Sequence, residues 1–151
     1  MITALLDTNV FVQSLLSTSR AASSRVVEAL YDGRFRAVFS DATLDELLEV
    51  LAVEQMRESH GLTDDEILIF LTSFLPDAIR YRSVPNVTAR VKDITDVKFL
   101  ALAAHSKADY LVTNDRRHLI PLGQFRATRI VVPAEFLRIL ADNEMLRGRN
   151  S

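Results

Sequence analysis

Ala4-Leu5-Leu6-Asp7-Thr8-Asn9-Val10-Phe11 decides the architecture. Three consecutive apolar residues mark a short strand buried on both faces, because a strand with one wet face would alternate instead. Asp7 interrupts the run, and helical periodicity takes over from about Val10 to Leu16. A doubly buried strand feeding a helix is the opening unit of a parallel sheet with cover on both sides.

The rest of the chain repeats that alternation. Beyond Ser17-Thr18-Ser19, a second helix is predicted from Ala22 to Tyr31, ended by Asp32-Gly33, where glycine tolerates the left-handed cap. Arg36-Ala37-Val38-Phe39 reads as a strand. Leu44, Leu47, Leu48 and Leu51 follow the i, i+3, i+4, i+7 stripe of a core-facing helix. Gly61 breaks the pattern, and Thr63 with Asp64-Asp65-Glu66 suits the start of a helix reaching about Phe74. Pro76 ends it, and Ala78–Tyr81 is a third candidate strand. A polar connector over 83–92 leads to a helix from Val97 to Ser106, a strand at Tyr110-Leu111-Val112 and another at 128–132. Pro133 then opens a last helix, Ala134 to Leu140. These elements predict an α/β fold of three layers, α/β/α, around a parallel five-stranded sheet. A single domain is expected over 1–141, with 142–151 a flexible polar tail.

Composition narrows the function classes. The sequence holds 151 residues, enough for one domain with its own core. It has no cysteine, which excludes a disulfide scaffold, thiolate zinc sites and a thiol nucleophile. No apolar stretch approaches the ~20 residues that span a bilayer, and the N-terminus has no basic region before its short apolar run. A soluble, cytoplasmic protein is expected. The formal charge of −2 argues mildly against unaided nucleic-acid binding, but not against a nuclease whose phosphate contacts include bound cations. His60, His105 and His118 have no ligand spacing and read as structural or surface residues.

Open parallel sheets bind ligands beyond the carboxyl ends of their strands, and acids gather there. Asp7 ends the first strand; a helix cap is its plainer reading, although Thr8 and Asn9 can cap equally well. Glu46 completes a capping box, Thr43-Leu44-Asp45-Glu46, or borders the apolar arc of its helix as a functional acid. Asp96 shares a helix face with Phe99, Leu100 and Ala103, so it either caps that helix or faces a polar cavity. Asp115 follows the fourth strand as a turn residue or as a further acid at the same edge. Clustered carboxylates repel by on the order of 4 kcal/mol per pair at ~4 Å in an effective dielectric of about 20. A fold keeps such a cluster when a cation offsets it or some acids stay protonated. All-oxygen ligation suits Mg2+ or Mn2+. Arg116 and Arg117, next to Asp115, are candidate phosphate contacts or simply a solvated turn.

The segments Leu5–Phe11, Thr43–Leu47, Asp96–Ala103 and Ala108–Asp115 resemble, in order and spacing, the PIN-domain ribonucleases. They are most similar to the toxins of type II toxin–antitoxin pairs of the VapC type. The resemblance implies that Asp7, Glu46, Asp96 and Asp115 are catalytic, metal-binding acids, with Asn9 and Thr113 supporting them and Asp93 an additional acid beside them. It further implies RNA as substrate, Mg2+ or Mn2+ as cofactor, a homodimer, and a cognate antitoxin protein as partner. Two positions depart from the pattern: Val97 follows Asp96 where relatives often carry a denser acidic run, and Asn114 stands where glycine or a basic residue is frequent. A binding module that holds RNA or protein without cutting is the competing reading. A phosphotransferase using Asp7 is disfavoured, since Asn9 stands where such enzymes carry a second Asp.

Overall fold

The computed structural model describes residues 1–87 and 94–149, with side chains throughout except at 54, 55 and 94–96. The elements run β1 (Thr3–Leu6), α1 (Thr8–Leu16), α2 (Ala22–Tyr31), β2 (Arg36–Ser40), α3 (Asp41–Ala52), α4 (Glu54–His60), α5 (Asp64–Thr72), β3 (Ile79–Tyr81), α6 (Ile94–Ser106), β4 (Tyr110–Val112), β5 (Gln124–Phe125), β6 (Thr128–Val131) and α7 (Pro133–Arg149).

The sheet order is β3-β2-β1-β4-β6-β5. Five strands are parallel, and β5 pairs antiparallel with the outer edge of β6. The expected five-stranded parallel sheet is therefore corrected to six strands. The addition escapes pattern reading because two residues cannot display an alternation. It is built by backbone turns instead: Gly123 at φ 67 precedes β5, and Arg126 at φ 51 turns the chain back into β6.

Alternate residues of each strand sort into two cores, as strand geometry requires. Ala4, Leu6, Ala37, Phe39, Val112 and Val131 face one cluster, which α1, α2, α3, α5 and α7 cover. Leu5, Val38, Leu111 and Ile130 face the other, covered by Phe99, Leu100, Leu102 and Ala103 of α6. That is the three-layer arrangement. The first core centres on Phe11, whose ring lies 6.1 Å from Phe39, 6.2 Å from Phe70 and 5.5 Å from Phe74.

Four local readings change. α3 begins at Asp41 and not within Thr43–Glu46, because Ser40 is the cap: its hydroxyl accepts from the Thr43 amide and the Thr43 hydroxyl accepts from the Ser40 amide. Of the expected leucine stripe, Leu44, Leu47 and Leu51 are buried, whereas Leu48 is 41% exposed. α4 is an added helix that ends at Gly61, whose φ of 67 supplies the left-handed cap. Finally, α7 continues beyond Leu140 to Arg149, so residues 142–149 are helical where a frayed tail was expected. The Arg34 guanidinium donates to both carboxylate oxygens of Glu144, at 2.6 and 3.1 Å, tying that extension to the loop after α2. Arg147 and Arg149 in its last turn also suit the negative end of a helix.

Because Phe11 fills the centre of the first core and is only 1% exposed, Phe11→Ala is expected to lower unfolding free energy by about 3–5 kcal/mol. Leu48→Gln should change it by no more than about 0.5 kcal/mol. Urea denaturation of both variants checks the pair.

Candidate functional site

The sheet reverses direction of growth at β1: β2 and β3 extend it to one side, β4 and β6 to the other. Open α/β sheets bind ligands where neighbouring crossovers diverge, which here is at the carboxyl ends of β1 and β4. The register Leu6↔Val112 brings Asp7 and Thr113, the next residues on each strand, to the same level. The Asp7 amide donates to the Val112 carbonyl at 2.9 Å, and the Thr113 amide to the Val131 carbonyl at 3.0 Å.

Asp7 occupies the N-cap position of α1, yet its side chain makes no capping hydrogen bond. Its Oδ2 instead accepts from the Thr113 hydroxyl at 2.7 Å and from Asn9 Nδ2 at 3.1 Å. Asp7 and Thr113 are both buried. Burial pushes the Asp7 carboxyl up to about 6; the Thr113 hydrogen bond pulls against that, and the negative charges of Glu46 and Asp115 add to the rise. Asp7 is therefore close enough to Glu46 and to Asp115 to feel the charge of each.

Glu46 projects from the second turn of α3, past the cap that Ser40 and Thr43 satisfy, so the capping-box reading of this residue does not hold. Thr8 donates its hydroxyl to Glu46 Oε2 at 2.5 Å, and Lys98 Nζ lies 3.7 Å from Oε1. Asp115 is held by its own turn: its Oδ1 accepts from the Arg117 and His118 amides at 3.0 and 2.8 Å, while its amide donates to Thr113 Oγ1 at 2.9 Å. Thr113 thus links two acids through one hydroxyl. Asn9 carries the network further, since its Oδ1 accepts from the Asn114 amide and Asn114 Nδ2 donates to Ser23 at the start of α2.

Asp96 is the third residue of α6, but its side chain lies outside the described set, and Asp93 lies outside the described residues altogether. Arg116 and Arg117 are exposed beside Asp115. His118 Nδ1 approaches Asp115 Oδ2 at 3.4 Å. His60 and His105 have structural contacts, the first with the Leu62 amide and the second with the Tyr81 ring. Sequence reading passes over Thr8, Lys98 and Ser23; each acts across tertiary contacts, for which local spacing carries no signal.

Among the described residues, no three acidic or histidine side chains converge into a ready-made metal cluster. The donor set nevertheless suits a hard cation. It is all oxygen, and the burial that chiefly raises the Asp7 carboxyl to about 6, with the negative charges of Glu46 and Asp115 adding to it, is what a bound cation would offset.

With fold and site defined, the family follows. The model of the PIN domain matches residues 3–117, and the chain belongs to that family. PIN domains are in general nucleases that use divalent metal ions. The fold is shared with VapBC2 from Rickettsia felis, solved bound to a DNA fragment from their promoter, at 15% identity over 87% of this chain and 98% of that one, with a TM-score of 0.55. It is also shared with FitAcB from Neisseria gonorrhoeae, at 18% identity over 86% and 97% of the two chains and a TM-score of 0.54. No curated protein matches the sequence.

Asp7 gives the site a pH signature. A carboxyl raised from 3.8 unfolded to about 6 folded binds more protons in the native state between those values. Stability of the metal-free protein should therefore fall as pH rises from about 4 to about 6 and stay lowered above that. The full penalty is on the order of 3 kcal/mol. Asp7→Asn mimics the protonated form, so without metal it should match wild type near pH 4 and exceed it by about 1–3 kcal/mol near pH 8. Chemical denaturation at the two pH values reads the difference; a variant that is less stable at both would make Asp7 a structural residue.

Proposed function

We propose that this protein is a metal-dependent endoribonuclease, the toxin of a toxin–antitoxin pair. The observation that carries the reading is the coupling of Asp7, Glu46 and Asp115 at the carboxyl edge of β1 and β4, with the Asp7 carboxyl raised to about 6 by burial and by its neighbours' charges. Asp7, Glu46, Asp96 and Asp115 are the residues that would hold Mg2+ or Mn2+. When bound, such ions supply an activated water and offset charge on the leaving oxygen in an in-line displacement.

The chain's own groups do the rest. Thr113 and Asn9 fix the Asp7 carboxylate through Oδ2. The Arg117 and His118 amides fix Asp115 through Oδ1. Thr8 and Lys98 hold Glu46 from opposite oxygens. Immobilised carboxylates hold reacting groups in register without reorganising at the moment of reaction. Arg116 and Arg117 stand beside Asp115, where an RNA phosphate can reach them, and Asp93 is an additional acid near the start of α6. Single-stranded RNA fits an edge cleft best, since its bases need not stay stacked.

The partner in this reading is a cognate antitoxin, supported by family membership and by the shared fold with VapBC2 and FitAcB. A homodimer and a cytoplasmic location belong to the same reading. No helix among the described residues is long and apolar enough to cross a membrane. The competing reading is a PIN module that binds RNA or protein without cutting.

Cleavage of single-stranded RNA with and without Mg2+ separates the two. Wild type is expected to cut only with metal, and Asp96→Asn to lose at least about 100-fold in rate, the usual scale for a disturbed metal site. Mn2+ at 100 times its dissociation constant should stabilise wild type by about 2.7 kcal/mol. An unmoved melting temperature together with no cleavage leaves the non-cutting module as the function.

A further inference from the structure

The acid edge has a basic flank. A cleft of about 260 Å3 between α2 and α7 is lined by Arg20, Arg25 and Arg138 over Ala22, Ala134 and Leu137, with no carboxylate in its lining. All three arginines are exposed. Among the described residues, the ion pairs engage Arg34, Arg57, Lys98, His118 and Arg129, and none of these three. Glu28 stands one turn beyond Arg25, and Glu135 close to Arg138, but Glu135 pairs with Arg129 at 3.4 Å. Three like charges around so small a hollow repel one another unless an anion sits among them.

Its position says which anion. α7 starts at Pro133, two residues after Val131, whose carbonyl takes the Thr113 amide at the acid edge. In α2, the helix of the other wall, Ser23 points away from the cleft lining and accepts from Asn114, whose amide donates to Asn9, which in turn donates to Asp7 Oδ2. The start of α2 is therefore tied to the acids by a chain of three hydrogen bonds, and α7 starts at the same end of the sheet, so the two helices carry the cleft alongside the acid edge. The first turn of α2 contributes no acid and no side-chain cap on this side.

We propose that Arg20, Arg25 and Arg138 form a phosphate-binding subsite that holds the backbone of single-stranded RNA running away from the acid edge. The inference rests on the nuclease reading for the identity of the strand. Guanidinium groups suit this role because their planar forks grip phosphate oxygens in pairs. The subsite makes up for an edge that repels RNA in the absence of metal: the scissile end would be held only through a cation on the acids, whereas the arginines hold the nucleotides beside it directly.

The test is binding of a fluorescein-labelled single-stranded RNA of about 12 nucleotides in metal-free buffer, followed by anisotropy from about 50 to about 200 mM salt. Arg25→Gln/Arg138→Gln removes two phosphate contacts, so the salt slope should fall by about 1.4 and wild type should lose about sevenfold more affinity than the variant over that range. Arg25→Lys/Arg138→Lys should restore most of the slope. Both pairs are exposed, and an unchanged melting temperature confirms folding; Arg138→Gln alone, with half the effect, serves if the double variant melts early. Equal slopes in wild type and the Gln variant overturn the subsite. So does unchanged RNA binding with lost binding of a labelled poly-glutamate peptide, which would make the cleft a protein-docking surface. Cleavage with Mg2+ is read in parallel. RNA bound with the arginine-dependent slope but never cut defeats the nuclease reading and leaves the subsite standing, whereas cutting with equal slopes defeats only the subsite.

Discussion

The hydrogen bond from Thr113 to Asp7 is the contact on which the site depends. It joins residues 106 positions apart in sequence and sits where two parallel strands end. A buried carboxylate is unfavourable unless hydrogen bonds or charge offset its lost hydration. Here the offset is incomplete: Thr113 and Asn9 satisfy one oxygen, while Glu46 and Asp115 add negative potential. The fold tolerates that because β1 is enclosed on both sides by parallel neighbours, with Ala4, Leu5 and Leu6 in the two cores. Rigidity elsewhere keeps an unfavourable charge in place, as is usual where function and stability pull apart.

The same geometry explains why Thr113 matters more than its size suggests. Its hydroxyl donates to Asp7 and accepts from the Asp115 amide, so both acids are oriented by one side chain. Asp115 in turn accepts two amides of its own turn, which neutralise part of its charge without using a second cation. Glu46 is handled differently: a threonine hydroxyl on one oxygen and the Lys98 ammonium near the other. Three acids at one edge thus have three distinct environments, and burial raises the carboxyl of Asp7.

Much of this was legible from residue order. The bounds of α2 and β4 match the pattern, because Gly33 and the Tyr110-Leu111-Val112 run are local signals. Asp7 follows β1 where the strand-end rule points, and there it meets Asn9 and Thr113, which only the family resemblance singled out. Glu46 shows where local reading fails. Thr43-x-x-Glu46 satisfies the capping-box pattern, but Ser40 wins the cap because the strand ends directly before it, and Thr43 answers Ser40. Leu48 fails for a related reason: helical periodicity places it on the stripe, and only the neighbours decide how wide the buried stripe is. β5 is too short to have a period, and α7 outruns its apolar pattern because an ion pair and helix propensity, not burial, sustain its last turns.

Net charge says little about any one patch of the surface, and the reason is one of scale. At physiological salt a charge is felt over about 8 Å, much less than the width of a domain this size. The total of −2 averages an acid edge against arginines that lie elsewhere on the surface. A phosphodiester strand approaching this molecule would meet those regions one at a time: repulsion where Asp7, Glu46 and Asp115 gather, attraction where Arg20, Arg25 and Arg138 line the neighbouring cleft. Adjacent patches of opposite sign orient a polyanion in a way that a uniformly basic surface does not, because only one placement puts each phosphate against the right neighbour. In that view the acids and the arginines are two halves of one recognition surface, and the short chain of hydrogen bonds from Asp7 through Asn9 and Asn114 to Ser23 keeps them at a fixed separation.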